Sequence, residues 1–319
     1  MILIALWAVA ALLAPVLAPH AADERFGGLP NAPPTRPHVI DNAGAWHAPF
    51  IYQWTLVNRL EQTYQEDRSV RVRLAWLRGG RILSSSDDAA FPLLLLGADS
   101  FGRDVFSRLL YGARISLSLA LVSALGAMVL GASIGGLAGY AGGAVDDALM
   151  RATDLVMVLP GMYVVLALRA VLPPVLPPGR VFLLLALIFA IVGAPFIARG
   201  VRAIVRAERA LDYASAAQAL GAGHLRLLVR HLLPAARGFI AVEITLLVPA
   251  FIVAEATLSF VGLGFPDQLA SWGTMLHDAS SDVRVFADFP WLLSPAAAMF
   301  LVVLGLNLAL EGKRTDVVM

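Results

Sequence analysis

The sequence contains no cysteine, and Lys313 is its only lysine. The lack of cysteine excludes disulfide bonds, thiolate metal sites and a cysteine nucleophile. A nucleotide-binding P-loop needs a Gly-Lys pair followed by serine or threonine, and here Arg314 follows the lysine. We therefore expect that the chain binds no nucleotide through a Walker motif of its own.

Charged residues are scarce as well. They make up 15% of the 319 residues, whereas 59% are hydrophobic, and the mean hydropathy is +0.75. Soluble globular chains are roughly half apolar and about a quarter charged, so this composition indicates a membrane protein. The net charge of +1 and the absence of a basic tract argue against nucleic acid as a partner.

Six apolar segments are long enough, or nearly so, to cross about 30 Å of hydrocarbon. The first has an alternative interpretation as a cleaved signal peptide, because APHAA follows it, but the missing basic n-region favours a retained span. We therefore predict an all-α polytopic membrane protein with about six transmembrane helices. The segments cover roughly 2–19, 115–137, 153–173, 181–198, 239–262 and 290–310.

The distribution of arginine predicts the orientation. The connections 174–180 and 263–289 carry one arginine each, whereas the connection 199–238 carries Arg199, Arg202, Arg206, Arg209, Arg226, Arg230 and Arg237. The positive-inside rule places 199–238 in the cytoplasm, together with both termini and the tail 311–319. Residues 20–114 then lie outside, since long loops cross largely regardless of their charge.

The external part divides into an insertion, residues 20–94, and a motif, residues 95–114. Within the insertion, the alternating RVRLAW predicts a strand, and GGRILSSSDD predicts a turn and loop. In the motif, Asp99 or Ser100 is expected to cap an amphipathic helix that begins near Gly102. Its polar face, which holds Arg103, Ser107 and Arg108, suits either an interfacial anchor or a contact for a substrate-delivering protein.

The apolar core, residues 115–310, carries glycines at every fourth position of one segment. Such a stripe lets two helix backbones approach closely in a lipid environment. The spans also contain a few polar side chains, which serve either as part of a transport path or as groups that reach the interface. The glycines are Gly131, Gly135, Gly139 and Gly143, and the polar residues are Arg169, Glu243, Glu255 and Asn307.

The connection 199–238 predicts two helices separated by a break. Residues 208–220 favour helix, Gly221 permits the break, and a second helix runs from 224 to 233 before Pro234. The second helix is predicted to have one apolar face, and Arg226 and Arg230 lie on another. This unit suits either a stiff lever for a partner protein or an amphipathic loop on the membrane surface. The predicted apolar face consists of Leu225, Leu228, Val229 and Leu232.

The same stretch resembles the EAA-x3-G-x9-I-x-L-P motif of ATP-binding-cassette importer permeases. Ser215-Ala216-Ala217 is followed after three residues by Gly221, and after nine more by His231-Leu232-Leu233-Pro234. The spacing is kept, but serine stands where the family has glutamate and histidine where it has isoleucine. The serine removes a charge that could contact an ATPase.

Two further stretches resemble the C-type subunit of dipeptide and oligopeptide importers. LLGADSFGRDVFSRLLYGARISL at 95–117 and EATLSFVGLGFPDQLASWGTML at 255–276 are similar to two motifs of these permeases. The ending from Asn307 to Gly312 is similar to theirs as well. The resemblance covers 95–319 and the first span, residues 1–19, and leaves the insertion 20–94 unexplained.

This resemblance implies a non-catalytic permease of the bacterial inner membrane that moves peptides by alternating access. The implied partners are a B-type permease, two cytoplasmic ATPase subunits that use ATP, an external solute-binding protein and the lipid bilayer. The chain itself is expected to bind no cofactor or metal, because His20, His38 and His47 lack ligand spacing. The alternative is a membrane-anchored receptor or assembly factor that acts through residues 20–94.

The resemblance also implies three groups of site residues. The residues expected at the ATPase contact are Asp212, Tyr213, Ser215, Ala216, Ala217, Gly221, Leu225, Arg226, His231, Leu233 and Pro234. The residues of the external motif are Gly97, Asp99, Gly102, Arg103, Asp104, Arg108, Gly112 and Arg114. The candidates for the translocation path are Glu255, Ser259, Gly262, Gly264, Trp272 and Asn307.

Overall fold

The computed structural model describes residues 2–41, 44–87, 91–158, 161–171 and 176–318. Side chains are described for these residues except 2–4, 162, 165, 168–169 and 309–318. The polar side chain predicted within a span at Arg169 therefore lies outside the described set. So does residue 160, a proline within the third predicted span.

The described chain is mostly helical, which confirms the predicted fold class. The helices are α1 Ile2–Leu12, α2 Ala14–Leu17, α3 Val105–Ala141, α4 Gly143–Val158, α5 Gly161–Val171, α6 Pro178–Arg209, α7 Asp212–Ala219, α8 His224–Leu227, α9 Arg237–Phe260, α10 Trp272–Ser280 and α11 Ser294–Val318. The strands are β1 His38–Ile40, β2 Trp46–Asn58, β3 Thr63–Arg78 and β4 Arg81–Ser85.

Four helical stretches among the described residues are long and apolar enough to span a bilayer. They are Val105–Ala141, Pro178–Arg209, His224–Phe260 and Pro290–Leu308. The predicted count of six is not confirmed. The segment 2–19 forms the shorter helices α1 and α2, and the segment 153–173 is divided between α4 and α5.

The chain divides into two compact units. The first contains residues 1–117 and 259–305, and the second contains 118–258 and 306–319. In the first unit, β1 to β4 form one antiparallel sheet in sequence order, and all of its strands belong to the insertion. Ile51 and Val72 from this sheet pack with Leu93 in a buried cluster.

The strand predicted for RVRLAW is confirmed, because these residues lie in β3. The loop predicted for GGRILSSSDD is wrong for Arg81–Ser85, which form β4, whereas Ser86 and Asp87 lie in a turn as predicted. Gly79 and Gly80 both have positive φ, +62° and +79°, and connect the paired residues Arg78 and Arg81. Such a two-residue glycine turn matches the strand twist and sends the chain back as a hairpin.

In the second unit, the glycine stripe of α3 packs against the backbone of α6. A Cβ built at Gly131 or Gly139 would lie 2.6 Å from a carbonyl oxygen of α6, and one built at Gly135 only 2.2 Å away. The prediction is therefore confirmed for three glycines. It is wrong for Gly143, which has φ +55° and begins α4 after a break.

The contacts also give the helix directions within this unit. Gly131, Gly135 and Gly139 face Ala194, Ala198 and Arg202 in that order, so α3 and α6 run in the same direction. Between α6 and α9 the order is reversed, because Gly193 faces Phe251 and Gly200 faces Phe239. These two helices therefore run antiparallel.

Candidate functional site

The region 199–238 forms a compact elbow. After α6 ends, α7 begins at Asp212 and a break follows at Gly221, where φ is +90°. A Cβ built at Gly221 would meet nothing within 4 Å, so glycine is favoured by the backbone angle and not by lack of space. The prediction of one helix over 208–220 is corrected, because the chain turns between α6 and α7.

The second half of the elbow differs from the regular helix predicted for 224–233. It consists of α8, a π-helical turn at Leu228–Leu232 and a 3₁₀ turn at Leu233–Ala236 that leads directly into α9. Leu227 and Leu232 are fully buried, whereas Leu225 and Val229 are 75% and 55% exposed. The predicted apolar face is therefore wrong at Leu225 and Val229. A π turn repeats after about five residues, which places Leu227 and Leu232 on one side.

The elbow is attached to α3 through residues that the sequence motif does not include. The hydroxyl of Tyr140 forms a hydrogen bond with Nδ1 of His224. Arg209 donates to the carbonyl oxygen of Tyr140, and its guanidinium lies 4.9 Å from the centre of that ring. Leu233 and Leu228 fill the space beside Gly136, where a Cβ would lie 3.1 Å from Leu233. These contacts fix the position of the elbow on the end of α3.

Two other arginines of this region connect α6 to α4. Arg202 forms a two-pronged ion pair with Asp146, and its Nη2 lies 2.6 Å from Oδ2. The hydrogen bond from Arg202 lowers the pKa of Asp146 below its usual range. Arg199 pairs with Asp154 at a more exposed position. Arg199 and Arg202 are two of the arginines on which the predicted cytoplasmic position rests. Both therefore form ion pairs with α4.

The outer surface of the elbow is apolar with a basic border. Leu220 is 90% exposed at its tip, and Leu225, Val229 and Tyr213 are exposed as well. We call this surface the elbow tip. Tyr213 also donates a 2.7 Å hydrogen bond to Oε2 of Glu208. The other predicted contact residues are exposed at Asp212, Ser215, Ala216, Arg226 and His231, and half-buried at Ala217, Leu233 and Pro234.

The external motif takes a different form from the predicted surface helix. The helix begins at Val105 and continues to Ala141, so no separate amphipathic helix is present over 102–114. Its cap is Asp104, which accepts hydrogen bonds from the amides of Phe106 and Ser107. The prediction that Asp99 or Ser100 caps this helix is therefore wrong. Asp99 instead accepts from the amides of Phe101 and Arg103 in the preceding turn.

The polar face predicted to lie on the external surface is buried, and its two arginines belong to a cluster of four charges. Nε of Arg103 lies 2.6 Å from Oδ2 of Asp99, and its Nη2 lies 2.6 Å from Oδ2 of Asp278. Arg108 lies near both carboxylates, at 3.6 and 3.4 Å. Burial raises the pKa of Asp278, while the two arginines act in the opposite direction. This cluster joins the motif to α10.

The glycines of the external motif allow close backbone packing. Gly97 and Gly102 both have positive φ, and a Cβ on Gly102 would lie 2.2 Å from the carbonyl oxygen of Phe26. Gly112 packs against the indole of Trp272. Arg114 is exposed on α3. Most of the motif is therefore buried in the packing of this unit.

The path candidate Trp272 occupies a structural position as well. It is fully buried, and its indole Nε1 donates a 3.1 Å hydrogen bond to the carbonyl oxygen of Leu109. Ser271 and Thr274 form a capping box at the start of α10. Within this unit, Trp272 therefore packs the start of α10 against α3.

The remaining path candidates do not converge on one site within either unit. Gly264 is packed so tightly on Ser259 that a Cβ would lie 1.9 Å from its hydroxyl oxygen, and Gly262 has φ +80°. Glu255 is buried in α9, whereas Asn307 is exposed on α11. Glu243 lines an apolar cavity of about 440 Å³ in the second unit, next to Phe189 and Phe251.

Residues 127–312 match the family described as binding-protein-dependent transport system inner membrane component. The oligopeptide transport system permease protein OppC of Bacillus subtilis strain 168 is 38% identical over 219 residues, which cover 68% of this chain and 69% of the relative. The chain belongs to this permease family.

A second relative of this permease is named glutathione transport system permease protein GsiD, from Pectobacterium atrosepticum. It is 36% identical over 219 residues, 69% of this chain and 70% of its own. A solved structure of the inward-facing MetNI methionine ABC transporter aligns with 64% of the permease and 95% of its own chain. The TM-score of this alignment is 0.46 and the sequence identity is 16%.

Proposed function

We propose that this permease is a C-type subunit of an ATP-binding-cassette importer for peptides. It acts beside a B-type permease, two cytoplasmic ATPase subunits that use ATP, and an external solute-binding protein. The observation that carries this proposal is the elbow tip, an exposed apolar surface fixed to the ends of three long helices. The oligopeptide and glutathione relatives support a peptide as the transported solute.

The elbow is suited to transmit force between an ATPase and the membrane helices. Only Ala210 and Leu211 separate α6 from α7, and α8 continues through the π and 3₁₀ turns into α9 without a loop. The contacts of Arg209 and His224 with Tyr140 connect the same unit to α3. Nucleotide can change the state of the pore only through its different affinity for the two states, and this difference has to pass through the elbow.

The chemistry of the elbow tip indicates the kind of ATPase groove that it fits. The groove should be apolar at its centre, to receive Leu220 and Leu225, and acidic at its edge, near Arg226 and Arg230. Serine at position 215 weakens one possible contact, since its hydroxyl donates back to the carbonyl oxygen of Asp212 at 3.2 Å. The family glutamate would extend from this exposed position toward a partner.

The helix directions support a third crossing between α3 and α6. Both are candidate spans and run in the same direction, so the chain has to return across the bilayer within residues 142–177. The predicted span 153–173 is the apolar part of this connection. Together with 2–19, it completes the six crossings that we propose, with both termini in the cytoplasm.

Changing the shape and charge of the elbow tip is expected to uncouple the permease from its ATPases. Gly221→Val places a β-branched residue at φ +90°, and Ala216→Glu with Ala217→Glu adds two negative charges at the proposed contact. A loss of about 1.4 kcal/mol of contact free energy reduces association roughly tenfold. We expect this reduction in the amount of ATPase that co-purifies, together with a loss of uptake.

Ser215→Glu is the matched control, because it adds one negative charge to the exposed surface of the same helix. We expect it to preserve or strengthen the association. Unchanged co-purification and uptake in the Gly221 and alanine variants would contradict the coupling role. A marked loss with Ser215→Glu would contradict the alignment with the family motif.

The topology gives a second prediction. The native chain has no cysteine, and Leu60 and Leu220 are both 90% exposed. A cysteine at position 60 is therefore expected to react with an impermeant maleimide in spheroplasts. A cysteine at position 220 is expected to react only after the membrane is opened. Equal labelling of position 220 in sealed spheroplasts would place the elbow outside and contradict the proposal.

A further inference from the structure

The β3–β4 hairpin of the insertion ends in an unusual combination of exposed apolar and basic side chains. Trp76 is 62% exposed, Leu77 is 80% exposed and Ile82 is 37% exposed. Arg78 and Arg81 form the pair that closes the turn between them. We call residues 76–82 the hairpin tip. Single exposed apolar residues are ordinary, but three of them around one turn with two arginines are not.

The backbone of the hairpin tip presents these side chains outward. Gly79 and Gly80 form the turn with positive φ, and Leu77 also has a positive φ of +54°. A leucine rarely adopts this conformation, and its side chain is largely exposed here. The apolar side chains of the tip are therefore not part of the sheet core, which contains Ile51 and Val72.

The position of the hairpin tip relates it to the membrane surface. Arg81 donates a hydrogen bond to the carbonyl oxygen of Pro19, just after the end of α2. Residues Ala14 and Ala18 pack with Leu110 in the first turns of α3, which is a candidate membrane span. The hairpin tip therefore lies beside the C-terminal end of α2, which packs against the first turns of α3.

The chemistry of the hairpin tip matches the phospholipid headgroup layer. Tryptophan is enriched at this layer, and arginine side chains extend from apolar surroundings to reach phosphate groups. A polar cavity of about 440 Å³ next to the turn is lined by Arg78, Arg81, Ser84, Ser85, Ser86 and Asp87, together with Gly79. Both arginines also bind backbone carbonyl oxygens, Arg78 that of Ser86 at 2.8 Å.

From this geometry we propose that the hairpin tip inserts into the outer headgroup layer and anchors the insertion to the bilayer. Trp76, Leu77 and Ile82 enter the layer, and Arg78 and Arg81 contact lipid phosphate. The anchor holds the sheet close to the membrane at the side where α2 ends. It rests on the proposed external position of the insertion, and not on the proposed coupling or cargo.

Lipid quenching of a fluorescent label tests this anchor in the full chain. A single cysteine replaces Leu77 in one variant and Leu60 in another, and each is labelled with an environment-sensitive fluorophore. Leu60 lies in the β2–β3 turn and is 90% exposed, so it is the matched control. The labelled proteins are placed in vesicles of phosphatidylethanolamine and phosphatidylglycerol that contain a lipid spin label near the headgroup.

We expect the label at position 77 to be quenched strongly and to emit at shorter wavelength, while the label at position 60 is hardly affected. Adding Trp76→Ser and Ile82→Ser to the Leu77 variant should remove most of the quenching, because these exposed changes weaken insertion without touching the core. Equal quenching at positions 77 and 60 would overturn the proposal. Shielding of position 77 only after partner subunits are added would also overturn it, in favour of a protein contact.

Discussion

Arg103→Met is expected to destabilise the permease by about 3 to 5 kcal/mol, the usual cost of leaving buried charges without their partner. Arg103 is 1% exposed and holds two carboxylates, Asp99 and Asp278, at 2.6 Å each. Without it, both carboxylates have to share Arg108, which lies 3.6 and 3.4 Å from them. The measurement is thermal unfolding of the purified permease in detergent.

Arg68→Met is the matched control for this prediction. Arg68 is 59% exposed and pairs with Glu66 at 3.3 Å, so its loss is expected to cost at most about 1 kcal/mol. If the two variants unfolded at the same temperature, the charge cluster would not be the structural element described above. Adding Asp278→Asn to Arg103→Met removes one excess charge and should restore part of the stability, as in a coupled pair.

The pH dependence of the Arg103→Met variant follows from Asp278. Burial already raises the pKa of this carboxyl, and Arg103 is the largest influence that lowers it. Its removal raises the pKa further, so the folded state binds the proton more tightly than the unfolded state. The contribution of Asp278 to the stability of the variant is then fully present below its unfolded-state pKa and is lost as the pH rises through the folded-state pKa. We expect the difference from the native protein to be smaller at pH 5 than at pH 8.

The sequence patterns predicted the packing face of α3 better than the residue at which that helix begins. The glycine spacing identified the α3 face that packs on α6, because a close helix contact in lipid requires small residues at regular intervals. The helix start at Asp104 was missed, since Asp99, Ser100 and Asp104 are all chemically suited to cap a helix. The local pattern could not show that α10 supplies Asp278 to bury the polar face.

In the elbow, too, the local sequence pattern did not predict which side chains are buried. Its motif spacing located Gly221 and the two helical parts, but a regular 3.6-residue period assigned Leu225 and Val229 to the buried face. The π turn changes this period, and the sequence contains no direct signal for it. The contact of Tyr140 with His224 joins residues far apart in the chain, so only the folded structure could reveal it.

Gly135→Ala is expected to separate α3 from α6, whereas the same substitution at Gly238 is expected to be neutral or stabilising. A Cβ at Gly135 would lie 2.2 Å from the carbonyl oxygen of Ala198, and the nearby atoms are all backbone. Because backbone cannot move aside locally, the two helices have to shift, at a cost of about 1 to 3 kcal/mol. Gly135→Val adds more volume and should prevent stable accumulation of the permease in the membrane.

Gly238→Ala tests whether the loss of stability expected for Gly135→Ala comes from close packing and not from the replacement of a helical glycine as such. Gly238 lies in α9, and a Cβ there would meet nothing within 4 Å. Alanine favours helix over glycine by up to about 1 kcal/mol, so this variant should unfold at the same or a slightly higher temperature. Opposite signs for one substitution at two helical glycines would mean that the α3–α6 backbone contact holds these two helices together. Equal tolerance at both positions would mean that α3 and α6 are held together elsewhere, for example by the hydrogen bond from Arg209 to Tyr140.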